Sequence, residues 1–287
     1  MRRIIPISGK DSLATALIQT THEPGAYEFI FNDVGAELPE TYAWLDSVEK
    51  KTGWDILRIG KSLEEEITRN SNHEKGFLPS FKQRFCTSNC KIKPMEKHLG
   101  KDDEIIIYYG LRADENRTGY VPIAGSKIKP DYPLQRHGID LQGVWAILTA
   151  QNLLPPSFFW QRLYDAVVNR IDVSILSPVE RHFLFAGRSR ANCYFCFFQR
   201  QSELLWLLET HPDYLDRMGA FEKDSYFWMK DYSVAEFKGD LNRQRRAFKQ
   251  RVDEVVSYVA KKQQLTIPGL VVDNEISQTS CGLMCGK

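Results

Sequence analysis

Over its first 111 residues the chain alternates short β-branched runs with amphipathic stretches, and nothing else in it constrains the fold as much. Residues 2–7 (RRIIPI) read as a buried strand that breaks into a polar turn, and residues 11–21 as a helix with Leu13, Ala16, Leu17 and Thr20 on one face. Residues 27–33, 54–59 and 104–111 (EIIIYYGL) read as three further strands. A second helix is expected over residues 39–51, with Pro39 in its first turn and Gly53 beyond its end. Strands separated by helices pair in parallel, so the expected class is α/β, a doubly wound, mostly parallel sheet. Such sheets take ligands beyond the carboxyl ends of their strands, where residues 8–12, Asp33 and residues 112–117 fall.

After residue 125 the pattern changes. The stretch SKIKPDYPLQRHG, with Pro130 and Pro133, reads as loop, and helical periodicity follows over residues 140–152, 157–171, 199–211 and 240–264. The expected division is a nucleotide-binding α/β domain over residues 1–125 and a mostly helical region over residues 126–287, with no internal repeat. No run reaches the length of a membrane span, and polar residues 8–11 cut short the apolar run after Arg2 and Arg3, so a cytoplasmic protein is expected. With 38 basic and 37 acidic residues the net charge of +1 says nothing about polyanions, and only local clusters such as residues 243–251 can. Oligomeric state leaves no trace in the sequence.

The turn between the first strand and helix carries the first chemistry. In PISGKDSLATAL, Gly9 allows close backbone approach, Ser8 and Ser12 offer hydroxyls and Lys10 a charge, at a helix N-terminus whose free N–H groups suit phosphate. Asp11 is read as a group for Mg²⁺ or as a helix cap; the plain alternative for the whole loop is capping alone. The string does not fit the G-x-x-x-x-G-K-[ST] pattern. Arg112 and Arg117 could fork onto phosphate or sulfate oxygens, or pair with Asp114 and Glu115. Lys91 and Lys93 are further candidate anion ligands.

The loop resembles the PP-loop signature S-G-G-x-D-S, with Ile7 and Ser8 where that pattern has Ser and Gly. Four further segments are similar, in order, to the phosphoadenosine phosphosulfate (PAPS) reductase family: FNDVGAELPETYAWLDSVEKKTGWDI, RFCTSNCKIKPMEKHL, GLRADENR and DLQGVWAILTAQNLL. The resemblance covers roughly residues 4–155. It implies an adenine nucleotide α-hydrolase-like fold, an adenine nucleotide as partner (ATP, or PAPS or its unphosphorylated analogue APS) and sulfur chemistry with a sulfur donor or thiol reductant. The well-kept Gly9-Lys10-Asp11-Ser12 favours ATP with Mg²⁺ in adenylation-coupled sulfur transfer, to which a nucleic acid is a candidate acceptor. A sulfonucleotide reductase releasing sulfite is the alternative, and a non-catalytic regulatory subunit with structural zinc is the rival from another class.

Six cysteines sharpen these options. Cys86 and Cys90 are spaced C-x3-C and Cys193 and Cys196 C-x2-C, so four thiolates could hold a [4Fe–4S] cluster or zinc. The resemblance favours iron–sulfur. Residues 280–284 (SCGLM) are similar to the reductases' C-terminal Glu-Cys-Gly-Leu-His, which makes Cys281 a candidate nucleophile; Cys281 and Cys285 could instead be metal ligands or incidental thiols.

Overall fold

The computed structural model describes residues 1–69, 78–100, 104–122, 125–223 and 226–265. Five parallel strands form one sheet in the order β3-β2-β1-β4-β5. They are β1 (Arg2–Pro6), β2 (Glu28–Asn32), β3 (Ile56–Ile59), β4 (Ile105–Tyr108) and β5 (Ile128–Asp131). Between them lie α1 (Lys10–His22), α2 (Pro39–Thr52), α3 (Leu63–Arg69), α4 (Phe85–Thr87), a π-helical turn (Ser88–Ile92) and α5 (Lys93–Leu99). The chain moves outward from β1 to β3, then returns to place β4 on the other side of β1. That reversal leaves a crevice at the carboxyl ends of β1 and β4.

Alternation along each strand divides the sheet's cover. Ile5, Phe29, Phe31 and Tyr108 pack with Leu13, Ala16, Trp44, Leu45 and Val48 of α1 and α2, while Ile4, Ile30, Ile105 and Ile107 meet Leu99 and Met95 of α5 on the opposite face. α2 begins and ends as its sequence dictates. Pro39 begins α2 and Gly53, at φ 72°, closes it in the left-handed conformation.

The sheet does not stop at residue 125. β5 pairs with β4 through Ile105–Ile128 to Tyr108–Asp131, in a segment read from sequence as loop because of Pro130. Proline lacks a ladder donor but is tolerated at an edge, and β5 has β4 as its one neighbour in the sheet. α6 (Pro133–Arg136) and α7 (Leu141–Ala150) then fold back, placing Leu134, Val144 and Leu148 in the α1–α2 core. The α/β unit with its cover therefore runs to about Leu153.

The rest is helical: α8 (Gln161–Val168), α9 (Pro178–Leu184), α10 (Gln201–Thr210), α11 (Pro212–Ala220), α12 (Val234–Gly239) and α13 (Leu241–Leu265). Its core is not separate. Phe158, Trp160, Phe195, Trp206 and Val255 share one apolar cluster with Val34, Ala36 and Leu38 of the β2–α2 loop and with Leu63 and Ile67 of α3.

One capping box ties α9 to α13. Ser177 Oγ accepts from Glu180 N (3.2 Å), the Glu180 carboxylate accepts from Ser177 N (2.7 Å), and Lys262 and Tyr258 of α13 reach the same carboxylate. Burial opposes the charge, but Lys262 and the Ser177 bonds win and hold Glu180 down at about 2. A depressed carboxylate stabilises the fold fully above its unfolded value near 4.5, and that contribution is lost as pH falls toward 2. Glu180→Gln is expected to cost about 1 kcal/mol at pH 7, in the range of a lost cap, and little at pH 2. Urea unfolding at both pH values measures this, and an equal penalty at both would remove the electrostatic part.

Candidate functional site

Gly110, just past β4, lies against the loop that follows β1. A β-carbon there would stand 2.7 Å from Ser12 N and 2.8 Å from the Asp11 carbonyl carbon, so only glycine lets the two strand ends approach this closely. The loop is ordered by Ser12. Its Oγ accepts from Ser8 N (2.8 Å) and Gly9 N (3.1 Å) and donates to Gly9 O (3.0 Å). Gly9 is the N-cap of α1, so Asp11 is not a cap, and the capping role belongs to Ser12.

Asp11 is gripped from both sides. Lys10 Nζ donates to Oδ2 at 2.8 Å and Arg112 Nη1 to Oδ1 at 3.2 Å. Arg112 is 4% exposed. Its Nε and Nη2 bond the two oxygens of Asp114 (2.9 and 3.2 Å), and Nη1 also lies 3.3 Å from Glu115. Burial works against this guanidinium, but Asp114, Asp11 and Glu115 outweigh it and strengthen its charge. Arg117, one-third exposed, donates Nε and Nη2 to Glu115. Of the two roles open to Arg112 in the sequence, the structure displays the ion pair. Asp33 is likewise engaged, accepting from Gly35 N and Tyr42 Oη at 2.8 Å each.

Removing one partner of a buried ion cluster leaves uncompensated charge. Arg112→Met is therefore expected to lower the unfolding free energy by about 3–5 kcal/mol, and Arg112→Lys by less. Wild-type stability of Arg112→Met in a denaturant titration would dismiss the ion-pair role.

A second centre lies where the C-terminal helices meet the β2–α2 loop, joined to it by a bond from Tyr194 N to Ala36 O (2.9 Å). Lys91 interacts electrostatically with Glu37, Cys193, Cys86 and Cys196, which together outweigh burial and strengthen its ammonium charge. Burial pushes the Cys86 thiol up, and pushes Cys193 up strongly with Cys196 adding to it. Glu37, 6% exposed, is also held toward its neutral form by burial, partly offset by Lys91 and Arg188, and its Oε2 has no partner among the described residues.

Cys90 is the most deeply buried of these thiols. It lies in the π-helical turn, its thiol is pushed up to about 12 by burial, Glu66 and Cys86 against the pull of Lys61 and Lys91, and its carbonyl accepts from Lys61 N. Glu66 in turn is bound by Lys61 and by Asn89 Nδ2 (2.8 Å). Cys86, Cys193 and Cys196 thus all act on Lys91 electrostatically, and Cys90 in turn feels both Lys91 and Cys86. Among the described residues no three His, Cys, Asp or Glu side chains are grouped as a metal site. Lys93 is exposed on α5. Cys281 and Cys285 lie outside the described residues.

The basic first half of α13 is largely committed within the fold. Arg243 bonds Asp240 and stacks 3.8 Å over Tyr232, Lys249 pairs with Asp253, and Arg251 pairs with Glu254 and bonds Leu184 O. Arg245, Arg246 and Lys249 are its exposed cations.

Comparison with known proteins finds a likeness over the segment that carries the first centre. Residues 3–122, which carry β1 to β4, the loop, Arg112 and Arg117, match the phosphoadenosine phosphosulfate reductase domain. The likeness to the PAPS reductase family lies in this segment. An uncharacterized protein of Methanocaldococcus jannaschii is 29% identical over 111 residues, 38% of this chain and 22% of that protein. A second from the same organism is 24% identical over 211 residues, 73% of this chain and 44% of that protein. The chain covers less than half the length of either relative. A phosphoadenylyl-sulfate reductase structure from Candida auris, in phosphate complex, aligns over 57% of this chain and 77% of that chain, at 17% identity and a TM-score of 0.41. The PAPS reductase-like segment ends before Cys193 and Cys196, so the thiol turn rests on the geometry alone. Glu37, Arg188 and Gln199 were not singled out in the sequence, because nothing in their spacing ties them to the cysteines.

Proposed function

We propose that the chain binds ATP in the β1–β4 crevice and catalyses adenylation-coupled sulfur transfer, a specific form of the nucleotide-linked sulfur chemistry of its family. The observation that carries this reading is the approach of Gly110 to Asp11–Ser12. It aligns the first-turn N–H groups of α1 with Lys10 and the Arg112 cluster at one strand end, a cradle for phosphate. In the first step an acceptor oxygen forms a bond to the α-phosphorus and the bond to the β-phosphate breaks, releasing pyrophosphate. In the second a sulfur nucleophile forms a bond to the activated carbon, and AMP departs with the oxygen.

In this reading Lys10 is the charge aimed at the phosphates, and Asp11, fixed by Arg112, holds it in place. Both Asp11 oxygens are engaged, so Mg²⁺ would travel with the nucleotide phosphates and neutralise their charge. The thiols of Cys86, Cys193 and Cys196 would handle sulfur, and their donor chemistry, within an apolar shell beside a cation, suits an iron–sulfur cluster. The family match favours a nucleotide-using enzyme over a regulatory subunit. The test is Mg²⁺-dependent release of pyrophosphate from ATP by the purified chain. Sulfite release from PAPS in its place would turn the reading into a reductase, and neither activity would leave the regulatory subunit.

A further inference from the structure

One side chain anchors the Cys193–Cys196 turn. Arg188 is 2% exposed, with its guanidinium 6.0 Å from the Phe158 ring centre. Nη1 donates to Gln199 Oε1 (3.0 Å), and Nη2 reaches the Asn192 carbonyl (2.8 Å), Asn192 Oδ1 (3.0 Å) and the Cys193 carbonyl (3.3 Å). Gln199 closes the circuit: its Nε2 donates to Tyr194 O (2.6 Å) and its backbone N to Cys196 O (3.1 Å), while Cys196 N donates to Cys193 O (3.1 Å). The carbonyls of residues 192, 193, 194 and 196 are thus all bound within one network. Glu203 fixes both flanks, accepting from Ser189 N and Oγ (2.7 and 2.8 Å) and from Arg200 N (3.0 Å).

Among the described residues no carboxylate forms an ion pair with Arg188, whose acceptors are all neutral amides. A cation buried in that way is costly, and Glu37, on which it acts electrostatically, forms no direct ion pair with it. What it supplies is a planar fork able to bind two sides of a turn at once, which lysine cannot copy. We propose that Arg188 is the positioning residue of the thiol centre, setting the backbone of Cys193 and Cys196 so that both sulfurs face Cys86 and Lys91. The proposal rests on reading those thiols as the sulfur-handling centre. Its test reads thiol placement and not sulfur transfer, so the two can fail separately.

The full-length chain, freed of metal by a chelator under native conditions, is treated with iodoacetamide and each cysteine followed by mass spectrometry. Arg188→Lys and Arg188→Gln are expected to accelerate labelling of Cys193 and Cys196 at least tenfold, with Cys90 unchanged. Wild-type rates in Arg188→Lys would show that charge suffices and overturn the fork. Acceleration of Cys90 to the same degree would reduce Arg188 to a general stabiliser and also overturn the proposal. Should both variants lose their helical circular dichroism, Gln199→Ala removes one arm of the network. Faster labelling at Cys193 and Cys196 then supports the assignment, and unchanged rates sink it.

Discussion

Asp11→Asn should lower the rate of pyrophosphate release from ATP by roughly 10²–10³, with a loss of only about 1 kcal/mol in stability. The asymmetry follows from the contacts. Asn keeps the volume of Asp11 but removes the charge that holds Lys10 Nζ at 2.8 Å and meets Arg112 at 3.2 Å. Arg112 retains Asp114 and Glu115, so the buried cluster survives. Lys10, by contrast, is freed from its place at the helix N-terminus, and a displaced charge at a centre where charge develops costs rate far more than stability. Ser12→Ala should behave differently, because its hydroxyl bonds Ser8 N, Gly9 N and Gly9 O and so shapes the loop itself. Both turnover and melting temperature should fall there. Asp11→Asn turning over at the wild-type rate would mean that the loop caps a helix and nothing more.

How much of this was legible depended on how local the cause was. The strand–turn–helix alternation of residues 2–59 announced a parallel sheet, and Pro39 and Gly53 marked the ends of α2 within a residue. β5 was hidden because Pro130 argues against a strand unless the strand is known to be an edge, which only the tertiary arrangement reveals. Several short helices carried unused signals. Ser177-Pro178-Val179-Glu180 and Ser233-Val234-Ala235-Glu236 are capping boxes, and both open helices. At the site, the residues of the loop were legible but their partners were not. That Arg112 faces Asp11, 101 positions away, is a consequence of β4 lying beside β1. Nor does spacing separate Cys90 from the other thiols. Cys86 and Cys90 look like a pair in sequence, yet the π-helical turn separates them in burial, with Cys90 fully buried beside Glu66 and Cys86 only partly covered.

That separation gives the sharpest expected result. Protein prepared without oxygen should be brown from an iron–sulfur cluster, and Cys86→Ser, Cys193→Ser and Cys196→Ser should each abolish the colour, while Cys90→Ser keeps it. Cys86, Cys193 and Cys196 all act on Lys91, and a thiolate ligand is far softer toward iron than the hydroxyl that replaces it. Cys90 instead takes part in the apolar core, where a serine hydroxyl costs about 1–3 kcal/mol as an unsatisfied buried group. Cys90→Ser should thus melt lower yet stay coloured, and the other three should bleach with smaller losses of stability. Iron, sulfide and zinc analysis accompany the spectra. Equal bleaching by all four variants would restore Cys90 to the ligand set and require the π-helical turn to rearrange on loading. Colourless, metal-free protein that still transfers sulfur would leave Cys86, Cys193 and Cys196 as free thiols under the influence of Lys91.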